Sequence, residues 1–126
     1  MTTSIRPGVV IFTSDKERLA SFYEAVAGLT LYATDHNVSV LVSDETELVI
    51  HTLLGEPSTD RPPLAREDVY IKPFFPVSCL SEARKRAAEF GGKLRPRDEE
   101  WEARGFRACE AIDPDGNVIQ FREDAS

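Results

Sequence analysis

Surplus positive charge, long apolar runs and cysteine are scarce in this chain, and each shortage excludes something. No stretch approaches the roughly 18 apolar residues that a membrane-spanning helix needs. Met1–Pro7 lacks the apolar core of a secretory leader. The two cysteines, Cys79 and Cys109, are too few for a disulfide framework and are expected to be reduced thiols in a cytoplasmic protein. Lys and Arg number 15 against 22 Asp and Glu, a formal charge of −7. That balance argues against nucleic acid and membrane lipid as partners and is compatible with a cationic ligand. There is no Gly-rich phosphate loop, and no nucleophile–base arrangement that spacing alone would support.

What is present is an ordinary globular composition, 41% apolar and 29% charged over 126 residues. A chain of this length reads as one domain that buries roughly two-thirds of its unfolded surface. Pro7–Phe12 reads as a first strand. Asp15 can cap the helix that follows, whose apolar stripe is Leu19, Phe22, Tyr23 and Val26. Gly28 suits its left-handed end. Thr30–Thr34, Val38–Val42 and Glu47–Leu53 read as strands joined by polar turns. Residues 55–68 form a proline-bearing linker, with a first module over about 5–54 and a second over about 69–123. The second repeats the first. Val69–Val77 reads as a strand, although Pro73 and Pro76 demand an edge or irregular pairing. A helix starts at Ser78 or Cys79, with Leu80, Ala83, Ala87 and Phe90 on one face, and ends at Gly91-Gly92. A short strand near Lys93–Arg95 precedes a charged loop, Pro96–Gly105, which carries Trp101.

The chain closes on Asp113-Pro-Asp-Gly-Asn-Val-Ile-Gln-Phe121. Pro114 and Gly116 set a tight turn between two alternating runs, Phe106–Ile112 and Asn117–Arg122. Ile119 and Phe121 point to one face, and Val118, Gln120 and Arg122 to the other. This nonapeptide resembles the closing motif of the vicinal-oxygen-chelate superfamily, which includes glyoxalase I, extradiol dioxygenases and bleomycin-resistance proteins. The segment from Asp15 through Phe22-Tyr23 to Gly28-Leu29 is similar to that family's first helix. The resemblance covers about Pro7 to Arg122. It implies an α+β fold of two βαβββ modules forming a curved mixed sheet, a trough with helices on its convex face, usually completed by a homodimer.

In metal-using relatives four trough-lining residues chelate a divalent ion. The resemblance places those slots at Gly8, Ile50, Lys72 and Gln120. Gly8 and Ile50 have no donor, Lys72 is a cation, and Gln120 offers one amide oxygen, so no metal and no cofactor are expected. A register shift of one residue would offer His51 in place of Ile50. Val10, Phe12, Leu48, Ile50, Lys72, Phe74, Val118 and Gln120 are expected to line the trough. Phe12 and Phe74 suit a flat organic ligand or simply fill the sheet. Lys72 could neutralise an acid, act as a base or reach solvent. Trp101 could be a lid or could pack on its own loop. Arg95–Glu100 reads as a solvated charged run, and His36 as a solvated turn residue.

The leading expectation is a metal-free protein that binds a small molecule through Phe12, Ile50, Lys72, Phe74, Trp101 and Gln120, with no catalytic residue. The rivals are a metal-dependent lyase, isomerase or dioxygenase using His51 and Gln120, and a regulatory dimer with a collapsed trough.

Overall fold

The computed structural model describes residues 5–53 and 65–125, so most of the expected linker lies outside the described residues. The first module runs β1 (Gly8–Thr13), α1 (Lys16–Ala27), β2 (Thr30–Thr34), β3 (Val38–Val42) and β4 (Glu47–Thr52). The second runs β5 (Phe74–Pro76), α2 (Leu80–Glu89), β6 (Lys93–Leu94), β7 (Trp101–Ala103), β8 (Phe106–Ile112) and β9 (Val118–Asp124). The fold is α+β, with mixed sheets of four strands, β1-β4-β3-β2, and five strands, β5-β9-β8-β6 with β7 beside β8. In each module the entering strand lies parallel to the closing one, β1 on β4 and β5 on β9, because a helical crossover separates them. Among the described residues, no helix is long and apolar enough to cross a membrane.

Local chemistry accounts for the element ends. The Asp15 carboxylate accepts the Arg18 backbone N–H at 3.2 Å and caps α1. Gly28 takes φ 68° at its other end, a conformation that side chains resist. The proposed strand Val69–Val77 shrinks to Phe74–Pro76. Tyr70 and Ile71 stand in solvent, since a segment with two prolines cannot sustain a ladder. The loop expected over Pro96–Gly105 instead holds a single 3₁₀ turn, Arg97–Glu99, and the edge strand β7.

Both helices and both sheets share one core. Leu19, Phe22, Tyr23 and Val26 on α1 meet Leu41, Leu48 and Ile50 from the first sheet and Phe75, Ile119 and Phe121 from the second. The ring of Tyr23 lies 5.4 Å from Phe75, and Phe22 lies 6.5 Å from Phe121. A helix of the first module therefore packs on the sheet of the second. Each such buried aromatic or aliphatic side chain is worth about 1.5–3 kcal/mol.

A polar bond lies in the same contact. The Tyr23 hydroxyl donates to Asp113 Oδ2 at 2.7 Å, and both groups are buried. Asp113 also accepts the backbone N–H groups of Asp115 and Asn117, both at 2.9 Å, and the Asn117 side-chain amide at 2.9 Å. Burial raises the Asp113 pKa above the usual carboxylate value, against the pull of these donors. Burial and the facing carboxylate push Tyr23 well above the usual phenol value. Tyr23→Phe removes one donor and leaves the others, and is expected to cost about 1–3 kcal/mol in a urea melt. A change below a few tenths would show that the bond does not tie the halves together.

Candidate functional site

Each sheet has one face on the helices and one turned away from them. On the first sheet the pairings set the outward rows: Gly8 beside Glu47, Val10 beside Val49, and Phe12 beside His51, which also pairs with Val38. Val10 and Phe12 are exposed, and the His51 ring lies 5.3 Å from Phe12. His51 Nδ1 makes a 2.8 Å hydrogen bond with its neighbour's carbonyl, Thr52 O.

This corrects two of the expected lining residues. Leu48 and Ile50 are fully buried on the helix side, packed in the core. Because side chains alternate along a strand, Val49 and His51 take the outward positions instead. Val10 pairs with Val49 as Phe74 pairs with Gln120, so Val49 is the counterpart of Gln120. Ile50 is accordingly not available to a ligand on this face.

The second sheet presents a denser constellation. Phe74 pairs with Gln120, Gln120 with Glu110, Arg122 with Ala108, and Ala108 with Trp101. Phe74 is about half exposed and Trp101 is 39% exposed. Val118 shares this parity but is buried. Lys72 lies before β5 and forms an ion pair with Glu110. Gln120 Oε1 accepts the Arg122 Nε–H at 2.5 Å. The Arg122 guanidinium carbon sits 3.6 Å from the Phe74 ring centre and 4.2 Å from that of Phe106. Trp101 thus belongs to a paired edge strand, which decides its orientation.

The charged run before Trp101 is not simply solvated, as expected from sequence. The Glu100 side chain is only 4% exposed and is gripped by Arg84 at 2.5 Å and Arg107 at 2.6 Å. Arg84 also donates to the Arg95 carbonyl at 3.0 and 3.2 Å and approaches Cys109 Sγ at 3.5 Å. This network fastens β7, and with it Trp101, to α2 and β8. Burial opposes ionisation of Glu100, but the arginine hydrogen bonds outweigh it and hold its pKa below the usual value. Burial raises the Cys109 thiol, in part offset by Arg84. Both cysteines are free. The sequence alone marks neither role: Glu100 sits in a run with Asp98, Glu99 and Glu102, and Arg122 meets its aromatic partners only through strand pairing.

Comparison with known proteins agrees with this architecture. The profile of a glyoxalase-like domain matches residues 8–121. The chain belongs to the glyoxalase-like domain family. A glyoxalase family protein from Bacillus cereus superposes with TM-score 0.74 at 17% identity, covering 99% of this chain and 97% of that one. A glyoxalase/bleomycin resistance protein/dioxygenase family enzyme from Burkholderia phytofirmans gives 0.67 at 16% identity, over 93% and 96% of the two chains. The fosfomycin resistance protein of Mesorhizobium loti gives 0.65 at 14% identity, over 98% and 93%. Comparison with curated proteins returns no match.

The metal site that this glyoxalase-like fold implies does not fit the residues present. A Cβ added at Gly8 would fall 2.2 Å from the Glu47 carbonyl oxygen, so a larger residue has no room without moving β4. Val49 offers no donor. Lys72 brings a cation already paired with Glu110, and the Gln120 oxygen is taken by Arg122. Among the described residues, no three His, Cys, Asp or Glu side chains gather closely enough to hold an ion. A divalent metal wants three or four converging deprotonated donors.

Ile50→Ala should cost about 2–5 kcal/mol of unfolding free energy, while His51→Ala should leave stability nearly unchanged. Equal effects in denaturant melts would refute the assigned register. Glu100→Gln should cost about 1–3 kcal/mol at neutral pH. Because the folded-state pKa of Glu100 is depressed, its contribution is present above the ordinary glutamate pKa and lost as pH falls through the lower folded value. The gap between wild type and Glu100→Gln should therefore close in acid melts; a gap that widens would contradict the network.

Proposed function

We propose that this glyoxalase-like protein binds a small organic ligand, without a metal, on the sheet faces turned away from its helices. The observation that carries the reading is the state of Gln120. Its one donor oxygen accepts a hydrogen bond from Arg122, whose guanidinium lies over Phe74 and Phe106, with Trp101 across Ala108 in the same ladder. An open aromatic surface with a few oriented polar groups favours capture of a flat organic molecule over chelation. Phe12, Lys72, Phe74, Trp101 and Gln120 remain the binding residues of this reading, joined by Arg122, while Ile50 leaves it. A homodimer is part of the reading as well. Val10, Phe12, Tyr32 and Phe74 are each more than half exposed, and a second copy covering them would remove apolar surface from water.

Metal analysis of protein purified without chelator, combined with a thermal-shift screen of aromatic, peptide-like and carboxylate compounds, tests the proposal. Substoichiometric metal is expected, and a bound compound at about 100 times its Kd should stabilise the fold by about 2.7 kcal/mol. Stoichiometric zinc, nickel, manganese or iron, with binding that disappears on its removal, would replace this reading with the metal-dependent enzyme.

A further inference from the structure

Resting on the reading that this face takes a small organic ligand, we infer that the ligand carries an oxyanion, a carboxylate or a phosphonate-type group, held by the Arg122 guanidinium with Arg104 beside it. The first support is the way Arg122 is held. Phe74 and Phe106 lie 3.6 and 4.2 Å from its guanidinium carbon, and Nε is committed to Gln120 at 2.5 Å. These contacts fix the plane of the guanidinium and leave its terminal nitrogens for a partner. Among the described residues Arg122 forms no ion pair with a carboxylate. A fixed guanidinium fork matches the paired oxygens of a carboxylate or phosphonate. Lys72, which could have neutralised an acid, is already paired with Glu110.

The second support is Arg104. The two residues between β7 and β8, Arg104 and Gly105, have φ of 40° and 84°. Tight hairpins favour such angles, and Asn, Asp or Gly adopt them most readily. Arginine there is strained, and its guanidinium carbon lies 5.0 Å from the Phe106 ring centre, the ring that also carries Arg122. Two like charges over one ring oppose each other: burial, and then the Arg104 charge, lower the Arg122 pKa. An anion at this point relieves that repulsion. Two acidic residues share this face, Glu110, which is paired with Lys72, and Asp124, which lies opposite Phe106 in the ladder. Trp101, across Ala108 from Arg122, offers an apolar surface for the body of the molecule. The local charge therefore selects an acid although the whole chain carries −7.

The test uses the intact protein and four probes of one shape: benzoate, phenylphosphonate, benzamide and benzylamine. Calorimetric titration should show the two anions binding more tightly than the neutral and cationic probes, and the stronger anion identifies a planar or a tetrahedral head group. Arg122→Gln should weaken the anions roughly tenfold or more. Lys85→Gln, a solvent-exposed change on α2, should leave them unaffected. If Arg122→Gln does not fold, Arg122→Lys keeps the charge without the fork and should still lose anion affinity. The Arg122 Nε–Hε resonance should shift with the anions only. Benzamide or benzylamine binding as well as the anions, or unchanged anion affinity in both Arg122 variants, overturns the oxyanion inference and leaves the small-molecule reading standing. Absence of binding by all four probes overturns both.

Discussion

One hydrogen bond, from the Tyr23 hydroxyl to the Asp113 carboxylate, organises the junction of the two modules. Asp113 closes the last hairpin from within by accepting two backbone N–H groups and the Asn117 amide. Tyr23 rides on the first helix and brings Phe22 with it. The turn that shapes β8 and β9 is thus also the dock for α1. A carboxylate this buried is tolerated only because donors surround it. Remove the donors and the hairpin, the helix packing and the register of the ligand-facing rows lose a common reference.

That reference determines which side chains look outward. With Ile119 and Phe121 in the core, Gln120 and Arg122 must face away from it, and Phe74 and Glu110 follow through strand pairing. The opposite end of the same sheet is fastened from behind by Glu100, which draws Arg84 and Arg107 together beneath the Trp101 strand. A rigid core face and an outer face of oriented aromatics and cations are two consequences of one alternation. On the outer face a guanidinium occupies the neighbourhood where the fold's metal-using relatives, by resemblance, gather carboxylate and imidazole. The metal ion that such groups chelate and a guanidinium can each hold an oxyanion, but a guanidinium does so by directional hydrogen bonds and needs no coordination sphere.

The sequence was most legible where local chemistry and long-range packing agree. Asp15, the Leu19–Val26 stripe and Gly28 delimit α1, and the alternation after Gly116 assigns Ile119 and Phe121 to the core. It was least legible in β4, where Leu48, Val49 and Ile50 are all apolar and alternation carries no information. There the face was decided by parallel pairing with β1 and by the fit against α1, neither of which is local. Pro73 and Pro76 signalled irregular pairing but not how short β5 is, and the charges before Trp101 masked a buried acid. Glu100 looks like any surface glutamate until α2 and β8 supply its arginines. Arg122 was placed on the correct face, yet its importance depends on Phe74 and Phe106, which lie far from each other in sequence and meet only through β9.

The tight approach at Gly8 has a consequence for anyone wishing to give this scaffold a metal. An imidazole cannot simply be written in at position 8, because its first carbon would collide with the Glu47 peptide. The spacing between β1 and β4 has to widen first, and that spacing is set by a core shared with the other half of the molecule. Conversion to a chelator is therefore an ordered undertaking in which the backbone must give way before the new chemistry can arrive.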